Sequence, residues 1–249
     1  MRRGVVRFGP YTQSMSDDTI RPKPRKPRGR RQKHRRDRPA PETVDTAWRL
    51  FLAVPIPEPV RAGIGELIAR LEPRGWPIRW IEPGNAHLTL HFLGDTPPEQ
   101  ATILQLALPE IVAQHEAFNL RTAGLGVFPK LKRPRVIWLG VYGPAHRLET
   151  LANAIGESLT EMQFPVDDRP FSPHITLGRV RDIHNARIGG LTEALRAAID
   201  EMAAEGLADP KNGMPLPIDE VHLIRSHLGS TGARYEVLAR FPLAPRDGD

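Results

Sequence analysis

The 249 residues are 40% apolar and include no cysteine, so a sizeable core is available, while disulfide frameworks, cysteine-bound zinc and thiol nucleophiles are excluded. There is no run of about 18 apolar residues and no apolar leader segment, so neither membrane insertion nor export is expected and the cytoplasm is the expected compartment. The formal net charge of +6 is unevenly spread: residues 1–44 hold 14 Lys and Arg against four Asp and Glu, and the remaining chain is acidic.

Those first 44 residues, with "RPKPRKPRGRRQKHRRDRPAPE" at their centre, combine repeated prolines with almost no large apolar side chains. Such a segment cannot bury enough surface to offset the entropy of ordering, and a disordered basic tail is expected. Two roles fit it. It could meet RNA phosphates without sequence preference, gaining affinity from counterion release, or it could be a solubilising extension or over-long start, Met15 offering another initiation point. Residues 45–249 are expected to form the folded domain.

"RLFLAVPI" alternates as a half-buried strand, with Arg49, Phe51 and Ala53 on one face and Leu50, Leu52 and Val54 on the other. A helix follows, carrying Val60, Ile64, Leu67, Ile68 and Leu71 at helical spacing and ending before Pro73. "NAHLTLHFLG" is the next strand. Thr96 and Glu99 form a capping-box pattern that predicts a second helix, with a break at Pro109. "FNLRTAGLGVF" is a further strand. The order then restarts: strand "RVIWLGVYG", helix "AHRLETLANAIGESLTEMQF", strand "HITLGRV", and a helix through Leu191, Leu195, Ile199 and Met202. "IDEVHLIRSHL" and "RYEVLARFPL" close the chain as a hairpin around Gly229 to Gly232. The pattern amounts to two copies of strand, helix, His-x-Thr strand, helix, strand.

On a strand, His87 and Thr89 share one face while Leu88 and Leu90 share the other, and His174 and Thr176 are arranged alike. A lone His-x-Thr arises often by chance; two in equivalent strands, each after a proline-containing approach, point to a shared task. Two imidazoles flanking one site make a general acid and a general base near neutral pH. Two hydroxyls between them can donate to phosphate oxygens. The arrangement suits in-line displacement at phosphorus and requires no metal or other cofactor. A three-histidine metal site drawing on His91 is the minor alternative.

At "RLFLAV", "HLTLHFLG", "PRVIWLGV", "FSPHITLGR" and "LIRSHLGSTGARYEVLARFPL" the chain resembles the 2H phosphoesterase superfamily, and within it the RNA 2′,3′-cyclic phosphodiesterase (2′-5′ RNA ligase) family. The resemblance covers about residues 47 to 244. It implies a bilobed α+β fold, two pseudo-twofold-related lobes whose antiparallel sheets line a central cleft with helices outside. It also implies opening of an RNA 2′,3′-cyclic phosphate to a 2′-phosphate, with His87 as acid to O3′, His174 as base on water, and Thr89 and Thr176 on the phosphate. Reversible 2′-5′ ligation by the same chemistry, or a nucleotide-binding module with little turnover, are the other readings.

Further candidates lie near the motifs. Arg49 and Phe51 share a face, giving a phosphate contact and a base-stacking surface. Arg179 follows the second motif, yet strict alternation sets it opposite His174, so it needs a bulge to reach phosphate. His91 falls on the face of His87. Trp80 and Trp138 read as packing. RNA or nucleotides ending in a cyclic phosphate are the expected partners, and a monomer is expected.

Overall fold

The computed structural model describes residues 47–246 apart from 168, 182–187 and 230–231. The basic tail and the two central residues of the terminal turn therefore lie outside the described residues. In chain order the elements are β1 (Trp48–Pro55), α1 (Glu58–Leu71), β2 (Ile78–Trp80), β3 (His87–Thr96), α2 (Pro98–Val112), β4 (Phe118–Lys130), β5 (Arg133–Tyr142), α3 (Ala145–Glu161), β6 (His174–Val180), α4 (Ile188–Ala204), β7 (Pro215–Ile218), β8 (Glu220–Leu228) and β9 (Ala233–Pro242).

The strands and helices read from periodicity are present. Two short strands escape it, because the three residues of β2 and the four of β7 are too few to show a period. The capping box does not form: the Thr96 hydroxyl donates to the Gly94 carbonyl at 3.2 Å, and α2 opens on Pro98 without a side-chain cap. Nor does Pro109 break α2. Ala101, Leu104, Leu108 and Val112 bury one continuous face across it, and that packing outweighs the lost backbone bond.

All strand pairings are antiparallel, in one curled sheet of order β7-β4-β5-β6-β3-β1-β8-β9, with β2 added to β6. The two motif strands meet at its centre, and the first strand of each copy, β1 or β5, lies immediately outside its motif strand. The expected α+β fold of two related lobes is thus built as two antiparallel halves joined along the β3–β6 seam.

One face of the sheet carries the core. Leu50, Leu52, Leu88, Leu90, Ile175 and Leu177 pack there with Val60 and Ile64 of α1, Leu104 of α2 and Leu148 and Ile155 of α3. Each such side chain fully buried is worth about 1.5–3 kcal/mol. Arg70 of α1 bridges Glu201 of α4 and Glu205 just beyond its end, and Arg74 reaches Glu201 at 2.7 Å. No helix among the described residues is long and apolar enough to cross a membrane.

Candidate active site

The opposite face of the sheet holds the polar members of both motifs. His87, Thr89, His174 and Thr176 are half-buried, while the alternate residues Leu88 and Ile175 are fully buried. Each histidine is anchored in the same way. His87 Nδ1 lies 2.8 Å from the Asn85 carbonyl and His174 Nδ1 lies 2.7 Å from the Ser172 carbonyl. A carbonyl only accepts, so Nδ1 must carry the proton in both rings. Nε2 is then left as the lone-pair nitrogen of the neutral imidazole and the donor of the cation.

Two rings wall each imidazole. Phe51 stands 4.8 Å and Tyr235 5.2 Å from His87, centroid to centroid. Phe128 stands 4.9 Å and Trp138 6.4 Å from His174. These contacts overturn two expectations. Phe51 is only 3% exposed, its ring held between His87 and Tyr235, so it supports the histidine and offers no free face to a base. Trp138 pairs with Thr176 on the motif face and lines the site instead of filling the core. Trp80, packed against the core, is as expected.

β-Bulges decide which neighbours join the histidines. On β6, Thr176 pairs with Trp138 and Gly178 with Ile137, leaving Leu177 as the extra residue. Beyond it the parity reverses: Val180 packs against the core, and Arg179 turns to the face of His174. A Cβ on Gly178 would fall 2.6 Å from Ile78 and 2.9 Å from Trp80, so β2 can lie against β6 only because this residue is glycine. Among the described residues Arg179 makes no ion pair, and it acts electrostatically on His87, His174 and Tyr235 together.

On β3 the same device acts in the other direction. Leu52 pairs with His91 and Ala53 with Thr89, so Leu90 is extra and His91 is turned away from His87. Its Nε2 lies 2.7 Å from the Ala152 carbonyl on α3, among the helices. The expectation that His91 shares the face of His87 is corrected, and with it the three-histidine alternative.

Burial lowers the pKa of both motif histidines, since a charged ring in the wall loses hydration, and the positive charge of Arg179 lowers both further; His87 is also lowered by His174. Both rings thus feel one cation, and His87 feels His174 as well. Neither Thr89 nor Thr176 has a hydrogen-bond partner for its hydroxyl among the described residues. Tyr235, whose phenol burial holds in its protonated form, was not foreseen. Its strand reads half-apolar on both faces, so alternation alone could not say which way the ring points. Arg49 lies with its guanidinium carbon 4.6 Å from the centroid of Phe92. Two proton-transfer groups, two free hydroxyls and one cation on a single face can bind an anionic phosphate and move a proton on either side of it.

The model of LigT-like phosphoesterases matches the chain twice in succession, over residues 54–138 and 139–235, one motif in each copy. The RNA 2′,3′-cyclic phosphodiesterase of Thermus thermophilus is 34% identical over 207 residues, covering 80% of this chain and 92% of that protein. The one from Aquifex aeolicus is 32% identical over 66% of this chain and 81% of its own length. A crystal structure from Thermus thermophilus superposes with a TM-score of 0.62 at 29% identity, covering 80% of this chain and 99% of that one. LigT of E. coli in complex with 3′-AMP gives 0.60 at 26% identity, over 79% and 98%.

Proposed function

The chain belongs to the LigT-like phosphoesterase family, the two-histidine phosphoesterases, and from that premise we propose that it is an RNA 2′,3′-cyclic phosphodiesterase in which His87 and His174 are the acid and the base. The observation that carries the reading is the matched anchoring of the two rings. Both Nδ1 atoms are tied to backbone carbonyls two residues upstream, so both Nε2 atoms are left to serve one phosphate.

In the reaction, neutral His174 takes a proton from water as its oxygen bonds to phosphorus. The P–O3′ bond breaks, and protonated His87 supplies the proton to O3′, leaving a 2′-phosphate. The assignment of donor and acceptor follows the family pattern, in which the first-motif histidine donates. The hydroxyls of Thr89 and Thr176 and the guanidinium of Arg179 hold the non-bridging oxygens, where charge builds as the water attacks. An incoming phosphate also offsets the charge of Arg179 and makes it easier for one imidazole to stay protonated. Both motifs come from one chain, so a monomer suffices. Incubating the enzyme with an RNA ending in a cyclic phosphate and separating 2′- from 3′-phosphate ends tests the proposal; a 3′-phosphate product would overturn it.

A further inference from the structure

Beyond the catalytic pair, β3 presents an aromatic ring that the core does not use. Counted by strict alternation from His87, Phe92 falls on the face of Leu88 and Leu90 and would be core. The bulge at Leu90 reverses the parity, and Phe92 instead pairs with Phe51 on the motif face, 49% exposed. A second bulge, at Leu93, returns Gly94 to register with Leu50 on the core side. Two successive bulges thus bring one phenylalanine out of the core, beside the site. Bulges next to active sites commonly re-aim a side chain in this way.

Arg49, on the next rung of β1, covers this ring at 4.6 Å and among the described residues makes no ion pair. It stands about 7 Å along the strand beyond Phe51, and its charge is felt by Tyr235, the ring against His87. The pair therefore lies a short step outside the reacting phosphate. An exposed ring offers a stacking surface to any base, and a stacked guanidinium offers a second plane and a charge for phosphate.

We propose that Arg49 and Phe92 form a second nucleotide subsite, which holds the residue next to the one bearing the cyclic phosphate and makes the enzyme prefer RNA ends over mononucleotides. This rests on the hydrolase reading above and adds to it the class of substrate. The readout is the ratio of kcat/KM for a dinucleotide ending in a 2′,3′-cyclic phosphate to that for the cyclic mononucleotide, in wild type, Phe92→Ala, Phe92→Trp and Arg49→Ala. The ratio should fall about tenfold in Phe92→Ala, within the range of one base–aromatic stack, be kept by Phe92→Trp, and fall with reduced salt dependence in Arg49→Ala. An unchanged ratio in Phe92→Ala, or equal loss on both substrates, would overturn the subsite. If wild type opens neither substrate, the hydrolase reading has failed. The same ratio is then taken from Kd values of the mono- and dinucleotide 3′-phosphates, and an unchanged ratio there rejects the subsite on its own.

Discussion

Leu88 and Ile175 are register partners across the β3–β6 seam, and both are fully buried. One step to either side, on the opposite face, His87 falls opposite Thr176 and Thr89 opposite His174. The buried apolar pair therefore sets the register of the motif face: each imidazole stands across from the hydroxyl of the other motif. A slip of one residue along this seam would send one of the pairs into the core.

Replacing His87 or His174 by alanine should lower kcat on a 2′,3′-cyclic nucleotide by roughly 10²- to 10⁴-fold each, the usual worth of a positioned proton-transfer group. Steady-state kinetics in EDTA measure this. Wild-type turnover in either variant would reject the two-histidine scheme.

The pH profile of kcat/KM should be a bell centred on the acid side of about 6.5, because both imidazoles are pushed below their ordinary value. Arg179→Ala removes a charge that lowers both, so the bell should move to higher pH while KM rises. Stability follows the same sign. Below the unfolded value of about 6.5 the unfolded chain binds more protons than the native one, so stability should fall as pH drops through that window and level off above it. Denaturant melts of wild type against His87→Gln and His174→Gln would show a weaker acid loss in the variants.

Gly126→Ala places a methyl 2.0 Å from the Trp138 ring, which lies over this residue. The indole must shift, and with it the wall beside His174. A destabilisation of about 1–3 kcal/mol and a loss of kcat larger than any rise in KM are expected. Thermal melts and kinetics on the same preparation would separate the two effects.

Deleting residues 1–44, which hold 14 basic residues, should weaken RNA binding at low salt and flatten the dependence of log Kd on log salt, with mononucleotide turnover retained. Titrations at two salt concentrations suffice; identical slopes would assign the tail no part in RNA contact.

Much of this was legible along the chain. His87, Thr89, His174 and Thr176 could be placed on common faces because strand side chains alternate with a fixed period of two, and the repeated order of elements announced two related halves. The long helices were legible for the same reason, their apolar residues recurring at helical spacing. The short β2 and β7 were not, and the capping pattern at Thr96 misled because Thr96 is held as the last residue of β3 while α2 starts at Pro98, with Pro97 in the cap position.

What only the tertiary structure decided is where that period fails. Arg179 joins the site, Phe92 is turned out and His91 turned in because an extra residue on one strand shifts its parity against its neighbour. A bulge is a property of two strands paired together, so its position is not contained in the pattern of either strand alone. The walls around the two imidazoles are likewise tertiary: Phe51 and Tyr235 come from the first and last strands, and Phe128 and Trp138, from the β4–β5 hairpin, meet His174 of β6. The chain itself determined which groups could do the chemistry. The pairing of its strands determined which of them share one face of the sheet.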